Sequence, residues 1–144
     1  MADKLDPAFL DTAYVYALVN TRDEWHNDAL RWQEKLESER RRIVTSELVL
    51  IESADGLASV RFRTQAVQII AALQSSPYVE IIAMSSALFA DAFSLYRQRS
   101  DKNWGLTDCV SFVVMRDRGL VEALTADDHF EQAGFRQLLR EPLE

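Results

Sequence analysis

Four acidic residues, Asp11, Glu52, Asp108 and Asp127, stand where a parallel α/β chain would bring them to one edge of its sheet. In open parallel sheets, ligands bind beyond the carboxyl ends of the strands. Asp11 directly follows the apolar run Ala8-Phe9-Leu10, and Asp127 follows Val121 to Leu124 by way of Thr125-Ala126. Asp108 opens a helical segment just before that later run, so its side chain can point to the same edge. Glu52 lies one to two turns into the helix after Ile43-Val44-Thr45, on the side of Leu48 and Val49, which the apolar pattern directs at the sheet. A carboxylate on an inward helix face costs free energy unless it is paired or metal-bound. Four converging carboxylates repel one another, and a divalent cation relieves that repulsion. The donor set is all oxygen, and His26 and His129 are too far apart in sequence to suggest a zinc pair, so Mg²⁺ or Mn²⁺ fits better than Zn²⁺. An ion held by a few carboxylates keeps open positions for water, lowers the pKa of that water and stabilises charge on a phosphate in flight.

The elements that must position these acids follow from hydrophobic periodicity. Strands are expected at Ala8 to Leu10, Ile43 to Thr45, Val79 to Ala83 and Val121 to Leu124, with a possible fifth at Phe135 to Leu139. Between them run helical patterns. One passes through Tyr14, Val15, Ala17 and Leu18, and a second begins near Asp23 and carries Trp25, Ala29, Leu30, Trp32 and Leu36. A third starts after Ser46, a natural cap with Glu47 in the first turn, and continues past Ala58; a fourth covers Thr64 to Leu73. Ser85 or Ser86 caps a helix from Ala87 to about Gln98, and Thr107 caps one from Asp108 to Arg118 that stops at Gly119. Short apolar runs alternating with helices predict an α/β fold around a parallel sheet of four to five strands.

The bulk composition is consistent with this. The 144 residues suit one domain over 1–144, with 48% apolar and 27% charged residues and only 4 Gly and 3 Pro. No apolar run is long enough for a transmembrane helix, residues Met1 to Asp6 lack the apolar stretch of a secretory signal, and Cys109 is the only cysteine. A cytoplasmic protein is expected. The net charge of −7 speaks against nucleic acid as a partner, since phosphate contacts usually demand a basic face. The exception is a nuclease whose acids are gathered in a metal site, where bound cations reverse the local sign.

Phe9-Leu10-Asp11-Thr12, with Ala17-Leu18, Asp23 and His26 after it, resembles the opening of PIN domains. Thr45 to Glu52 is similar to their second motif, Leu106 to Ser111 to the third, and Leu124 to Phe130 with Ala133-Gly134-Phe135 to the fourth. Each motif alone is weak, but the ordered set spans nearly the whole chain and resembles most the VapC-like toxins of toxin–antitoxin pairs. That resemblance implies a three-layer α/β/α sandwich and metal-dependent cleavage of RNA leaving 5′-phosphate and 3′-hydroxyl ends. It further implies a homodimer inhibited by a small antitoxin protein. It makes Asp11, Glu52, Asp108 and Asp127 the catalytic and metal-holding acids, selects Asp127 over Asp128, and adds Asp101 as an outer candidate for the metal. Glu47 competes with Glu52 for its role.

Around the acids, the hydroxyls of Thr12, Thr107 and Thr125 either cap helices or orient a carboxylate or water. Arg97, Arg99 and Lys102 flank the proposed site and are candidates for phosphate contacts, and Trp104 either stacks on a base or packs over the core. Arg40-Arg41-Arg42 reads as a solvated helix end. A haloacid-dehalogenase-like phosphatase needs a second Asp two residues after the first, where this chain has Ala13, and a receiver domain needs paired early acids and a late Lys. The remaining rivals are a PIN-like domain that binds RNA or protein without cutting, and a housekeeping PIN nuclease without an antitoxin.

Overall fold

A computed structural model describes residues 5–143. The first strand, β1 (Ala8–Leu10), is buried at all three positions and lies at the centre of a five-stranded sheet. On one side it pairs with β2 (Ile43–Ser46), which pairs with β3 (Val79–Ile82); on the other it pairs with β4 (Glu122–Leu124), which pairs with β5 (Arg136–Gln137). All four pairings are parallel, with Phe9 opposite both Val44 and Ala123. The order β3-β2-β1-β4-β5 reverses direction at the β1–β4 boundary. A crevice opens at such a switch point, because successive crossovers leave in opposite directions.

Parallel strands need crossovers, and right-handed ones put helices on opposite faces when strand order reverses. From β1 to β3 the chain runs through α1 (Thr12–Val19), α2 (His26–Glu39), α3 (Glu47–Gly56) and α4 (Val60–Ser75), which cover one face. The return from β3 to β4 uses α5 (Ser86–Gln98) and α6 (Leu106–Arg118), packed on each other on the opposite face. A short α7 (Asp128–Gln132) joins β4 to β5, and a 3₁₀ turn, Leu138–Arg140, follows. The result is the expected α/β/α arrangement. Seven consecutive residues of α6, Cys109 through Met115, are buried, because this helix is covered by the sheet beneath and α5 beside it.

Capping explains several boundaries. Ser46 and Ser85 accept hydrogen bonds from the N–H groups of Val49 (3.2 Å) and Leu88 (3.0 Å), starting α3 and α5. Gly119 ends α6 at φ 65°, a conformation that favours glycine. Other boundaries differ from expectation. The third helix stops at Gly56 instead of passing Ala58, and the fourth begins at Val60 instead of Thr64. The second starts at His26, because the Asp23 carboxylate takes up the Trp25 N–H (2.8 Å) in a preceding turn. Thr107 is not the cap of α6: the helix starts two residues earlier than expected, at Leu106, with Gly105 at the cap position.

Arg41 is not a solvated helix end. Its side chain is 4% exposed, and it donates to the Asp6 carbonyl (3.0 Å) and the Glu122 carboxylate (2.6 Å), tying the approach to β1 to the start of β4. The chain can turn inward here because Arg40, at the C-cap of α2, takes a left-handed backbone with φ 50°. Removing Arg41 leaves Glu122 with Arg136 alone and takes from the Asp6 carbonyl its guanidinium donor. Arg41→Met is expected to lower the free energy of unfolding by about 2 to 4 kcal/mol, read from the urea midpoint.

Candidate active site

Asp11 follows the last residue of β1 and occupies the N-cap position of α1, yet its side chain caps nothing there. It points instead across the β1–β4 crevice, where its Oδ2 accepts the Thr125 hydroxyl at 2.8 Å. The Thr125 oxygen in turn accepts the backbone N–H of Asp127 at 3.0 Å, so one buried hydroxyl spaces the two acids. On the other side of β1, the Thr45 hydroxyl donates to the Leu10 carbonyl at 2.8 Å and fixes the strand end from which Asp11 departs.

Asp127 caps α7, its Oδ1 accepting the His129 N–H at 2.9 Å. Asp108 reaches the same place from the first turn of α6. Its Oδ2 accepts the Gly105 N–H at 3.0 Å and lies 2.9 Å from His129 Nδ1, which is also 3.6 Å from the Asp127 carboxylate. Carboxylate and ring atoms of Asp108, Asp127 and His129 lie within 4.8 Å of one another. With Nδ1–H donating to Asp108, the ring fixes that carboxylate as an outer-shell partner does.

The electrostatics follow from this crowding. Burial pushes the Asp11 carboxyl up to about 7, tempered by the Thr125 hydroxyl and the Thr12 N–H and reinforced by Asp127 and Asp108. Asp108 is also raised, first by burial and again by Asp127, against the pull of the Gly105 N–H and His129. Among the described residues, none of Asp11, Glu52, Asp108 and Asp127 makes an ion pair with Lys or Arg. One buried and three half-buried carboxylates with no Lys or Arg against them fit a bound cation, and the donors are those of a hard divalent ion with one imidazole beside them.

Glu52 enters from α3 and is joined to the group through Thr12, whose hydroxyl donates to its Oε1 at 2.6 Å. One turn on, the Tyr16 hydroxyl donates to the Glu52 carbonyl at 3.0 Å, so two residues of α1 hold both the side chain and the backbone of Glu52. Gly56 permits this, since a Cβ there would lie 2.0 Å from the Tyr16 oxygen. Glu47 is engaged elsewhere: its carboxylate accepts the Met84 N–H at 2.7 Å and secures the loop after β3. Asp128 turns to the C-terminal segment, meeting Gln137 Nε2 at 3.2 Å and Arg140 at 3.3 Å.

The outer candidates separate from this cluster. Asp101 is exposed, and both its oxygens accept from Arg99 at 3.0 Å, an arrangement that lowers its pKa. Trp104 is 6% exposed, donates to Gln132 at 3.0 Å and meets Phe112 edge-on, which settles it as a packing residue and not a free stacking platform. Thr107 is the second residue of α6, beside the Gly105-Asp108 contact. His26 is satisfied away from the acids, with Nδ1 2.6 Å from the Ala17 carbonyl. His129 is the site residue that sequence reasoning left out; the available signal was its position two after Asp127, at the start of a helix.

An open parallel sheet with unpaired carboxylates at its switch point defines a class of acidic-site α/β domains. The PIN domain model matches residues 8–136, and the chain belongs to that family. It is 30% identical over 128 residues to the 23S rRNA-specific endonuclease VapC20 of Mycobacterium tuberculosis, in strains CDC 1551 / Oshkosh and H37Rv, covering 88% of this chain and 94% of the relative. The crystal structure of M. tuberculosis VapC20, described as a Sarcin-Ricin loop cleaving toxin, superposes with a TM-score of 0.77 at 29% identity over 89% of this chain and 95% of that one.

A carboxyl group raised to about 7 in the native state but ordinary when unfolded has a definite sign. Between about pH 4 and pH 7 the native state holds the extra proton, so metal-free stability falls as pH rises through that window. Asp11→Asn keeps an acceptor for Thr125 and removes the penalty. It is expected to gain a few kcal/mol over wild type at pH 7.5 in chelator and much less at pH 4.5, measured by denaturant unfolding at both pH values.

Gly56→Ala is expected to displace the Tyr16 ring and lower the melting temperature by several degrees. Calorimetry checks it.

Proposed function

We propose that this chain is an endoribonuclease that hydrolyses RNA phosphodiester bonds with Mg²⁺ or Mn²⁺, acting as the toxin of a toxin–antitoxin pair. The observation that carries the reading is the meeting of Asp11, Asp108 and Asp127 at the sheet's switch point with no Lys or Arg against them. The overall likeness to VapC20 supports it and makes ribosomal RNA, including the sarcin–ricin loop, the first substrate to offer.

Asp11, Asp108, Asp127 and Glu52 would hold the ion, directly or through water. A bound divalent cation supplies Lewis acidity to the phosphate and to the attacking water. The rest falls to the chain. Thr125 sets the spacing of Asp11 and Asp127, Thr12 with Tyr16 sets Glu52, and His129 holds Asp108. Water attacks phosphorus in line and the bond to the 3′ oxygen breaks. One of the clustered carboxylates accepts the water's proton, and the departing oxygen takes one from solvent, leaving 5′-phosphate and 3′-hydroxyl ends. No nucleophilic side chain is required.

The same reading includes a cytoplasmic homodimer and a small antitoxin protein that covers the acidic site. Sedimentation equilibrium of purified protein is expected to give twice the 16.5 kDa of one chain. No helix among the described residues is long and apolar enough to cross a membrane.

The decisive experiment is cleavage of an RNA panel containing 23S rRNA and sarcin–ricin loop oligonucleotides, with Mg²⁺, Mn²⁺ or chelator. Wild type is expected to cut only with metal, and Asp11→Asn, Asp108→Asn and Asp127→Asn to lose roughly a hundredfold or more in rate. Full metal-dependent cutting by Asp11→Asn would overturn the scheme. A folded, partner-free wild type that cuts nothing would favour a binding module.

A further inference from the structure

One face of α5 and the turn after it gather side chains of a different character from the acidic cluster. Phe89, Phe93 and Tyr96 lie a turn apart along α5 and are 51%, 40% and 47% exposed. Their rings run parallel down the helix, with centroids 6.1 and 6.4 Å apart and interplanar angles of 13° and 18°. The Arg97 guanidinium lies 4.9 Å above the Phe93 ring. Beyond the helix end, Phe93, Tyr96, Arg97, Arg99 and Lys102 line a surface concavity of about 560 Å³ whose far wall is Trp104. No Asp or Glu lines it, although the chain as a whole carries −7. Arg99 is paired with Asp101, but among the described residues Arg97 and Lys102 make no ion pair.

The position matters as much as the composition. Trp104 is fixed by its bond to Gln132 and its contact with Phe112, and the next residue, Gly105, donates its N–H to the Asp108 carboxylate. The segment that lines the concavity therefore leads directly into the one that carries Asp108. Cations draw phosphates, and exposed ring faces accept bases of any sequence, the combination that binds single strands. An apolar stripe alone would suit another protein surface equally. Three cations lining one concavity against a single acid, Asp101, on an acidic chain and in the segment just before α6, favour a polyanion.

We propose that this concavity grips a single-stranded flank of the RNA whose scissile phosphate lies at the acidic cluster. Arg97 and Lys102 take backbone phosphates, and Phe93 and Tyr96 stack on bases. The inference rests on the nuclease reading for its substrate, and binding is tested apart from cleavage.

The test uses the non-cleaving Asp11→Asn protein with Mg²⁺ and a fluorescently labelled, unstructured 12-nucleotide RNA, read by anisotropy across a KCl series. Adding Phe93→Ala with Tyr96→Ala is expected to weaken binding roughly tenfold or more. Adding Arg97→Gln with Lys102→Gln is expected to lower the slope of log affinity against log salt by about 1 to 1.5. Affinity within twofold of the parent and an unchanged slope in the Arg97/Lys102 variant would overturn the proposal. So would conversion of a dimer to a monomer in sedimentation by Phe93→Ala/Tyr96→Ala with RNA affinity intact, which would make the face a contact between copies. If wild type binds this RNA in a variant-sensitive way but cuts none in the panel, the nuclease reading fails and the groove stands. Cutting by wild type with variant-insensitive binding gives the reverse.

Discussion

A carboxylate held out of water with no basic partner is the condition around which this structure is arranged. Asp11 is 8% exposed, and its neighbours Asp108 and Asp127 add to the cost of its charge. A chain folding for stability alone would put a neutral side chain there, because an unpaired buried charge is among the most costly groups a core can hold. The surrounding structure makes the arrangement tolerable. β1 is the central strand of five, α6 is buried along seven residues, and the hydroxyls of Thr45 in β2 and Thr125 just after β4 hold the end of β1 and the acid that follows it. The stability supplied by that core holds the acids in an unfavourable geometry that an ion can use.

Charge in this molecule has meaning only locally. The net value of −7 argues against a polyanionic partner, and it does so wrongly if it is read as a property of the whole surface. The acids that matter are sequestered at the switch point, and other charges are spent internally. Arg41, Glu122, Arg136 and Glu141 form a linked network across β4, β5 and the chain after them. Arg118 and Glu80 join α6 to β3, and Arg140 lies over Trp25. Arg97 and Lys102, which make no ion pair among the described residues, flank the turn that follows α5.

Much of this was legible in the sequence because parallel strands advertise themselves as short apolar runs, and a strand end followed by an acid has few structural purposes. The four strand positions and the sheet's parallel character follow from that pattern. What was not legible depends on contacts between residues far apart. Thr107 looks like the cap of α6, but the Asp108 carboxylate reaches back to the Gly105 N–H and starts the helix earlier. Arg41 sits in a basic run that reads as solvated, and only the fold supplies Glu122 across 81 residues. His129 has no apparent partner until α6 and α7 meet, because imidazole function is set by what lies opposite the ring nitrogens. Glu47 and Glu52 differ by little in local pattern; the loop after β3 and the hydroxyl of α1 separate them. Alpha-helix α7 is five residues long, too short for periodicity to declare it.

The hydrogen bond between Asp11 and Thr125 spans 114 positions. On a ribosome the first of these residues emerges long before the second, and β1 can pair with β2 while the place of β4 beside it stands empty. Until Thr125, Asp127 and His129 arrive, the early acid has neither its spacing hydroxyl nor its companions, and Asp108 lacks its imidazole. Long-range pairing of this kind is slow to form and closes late. The acidic site is therefore completed only after the chain has been made as far as His129.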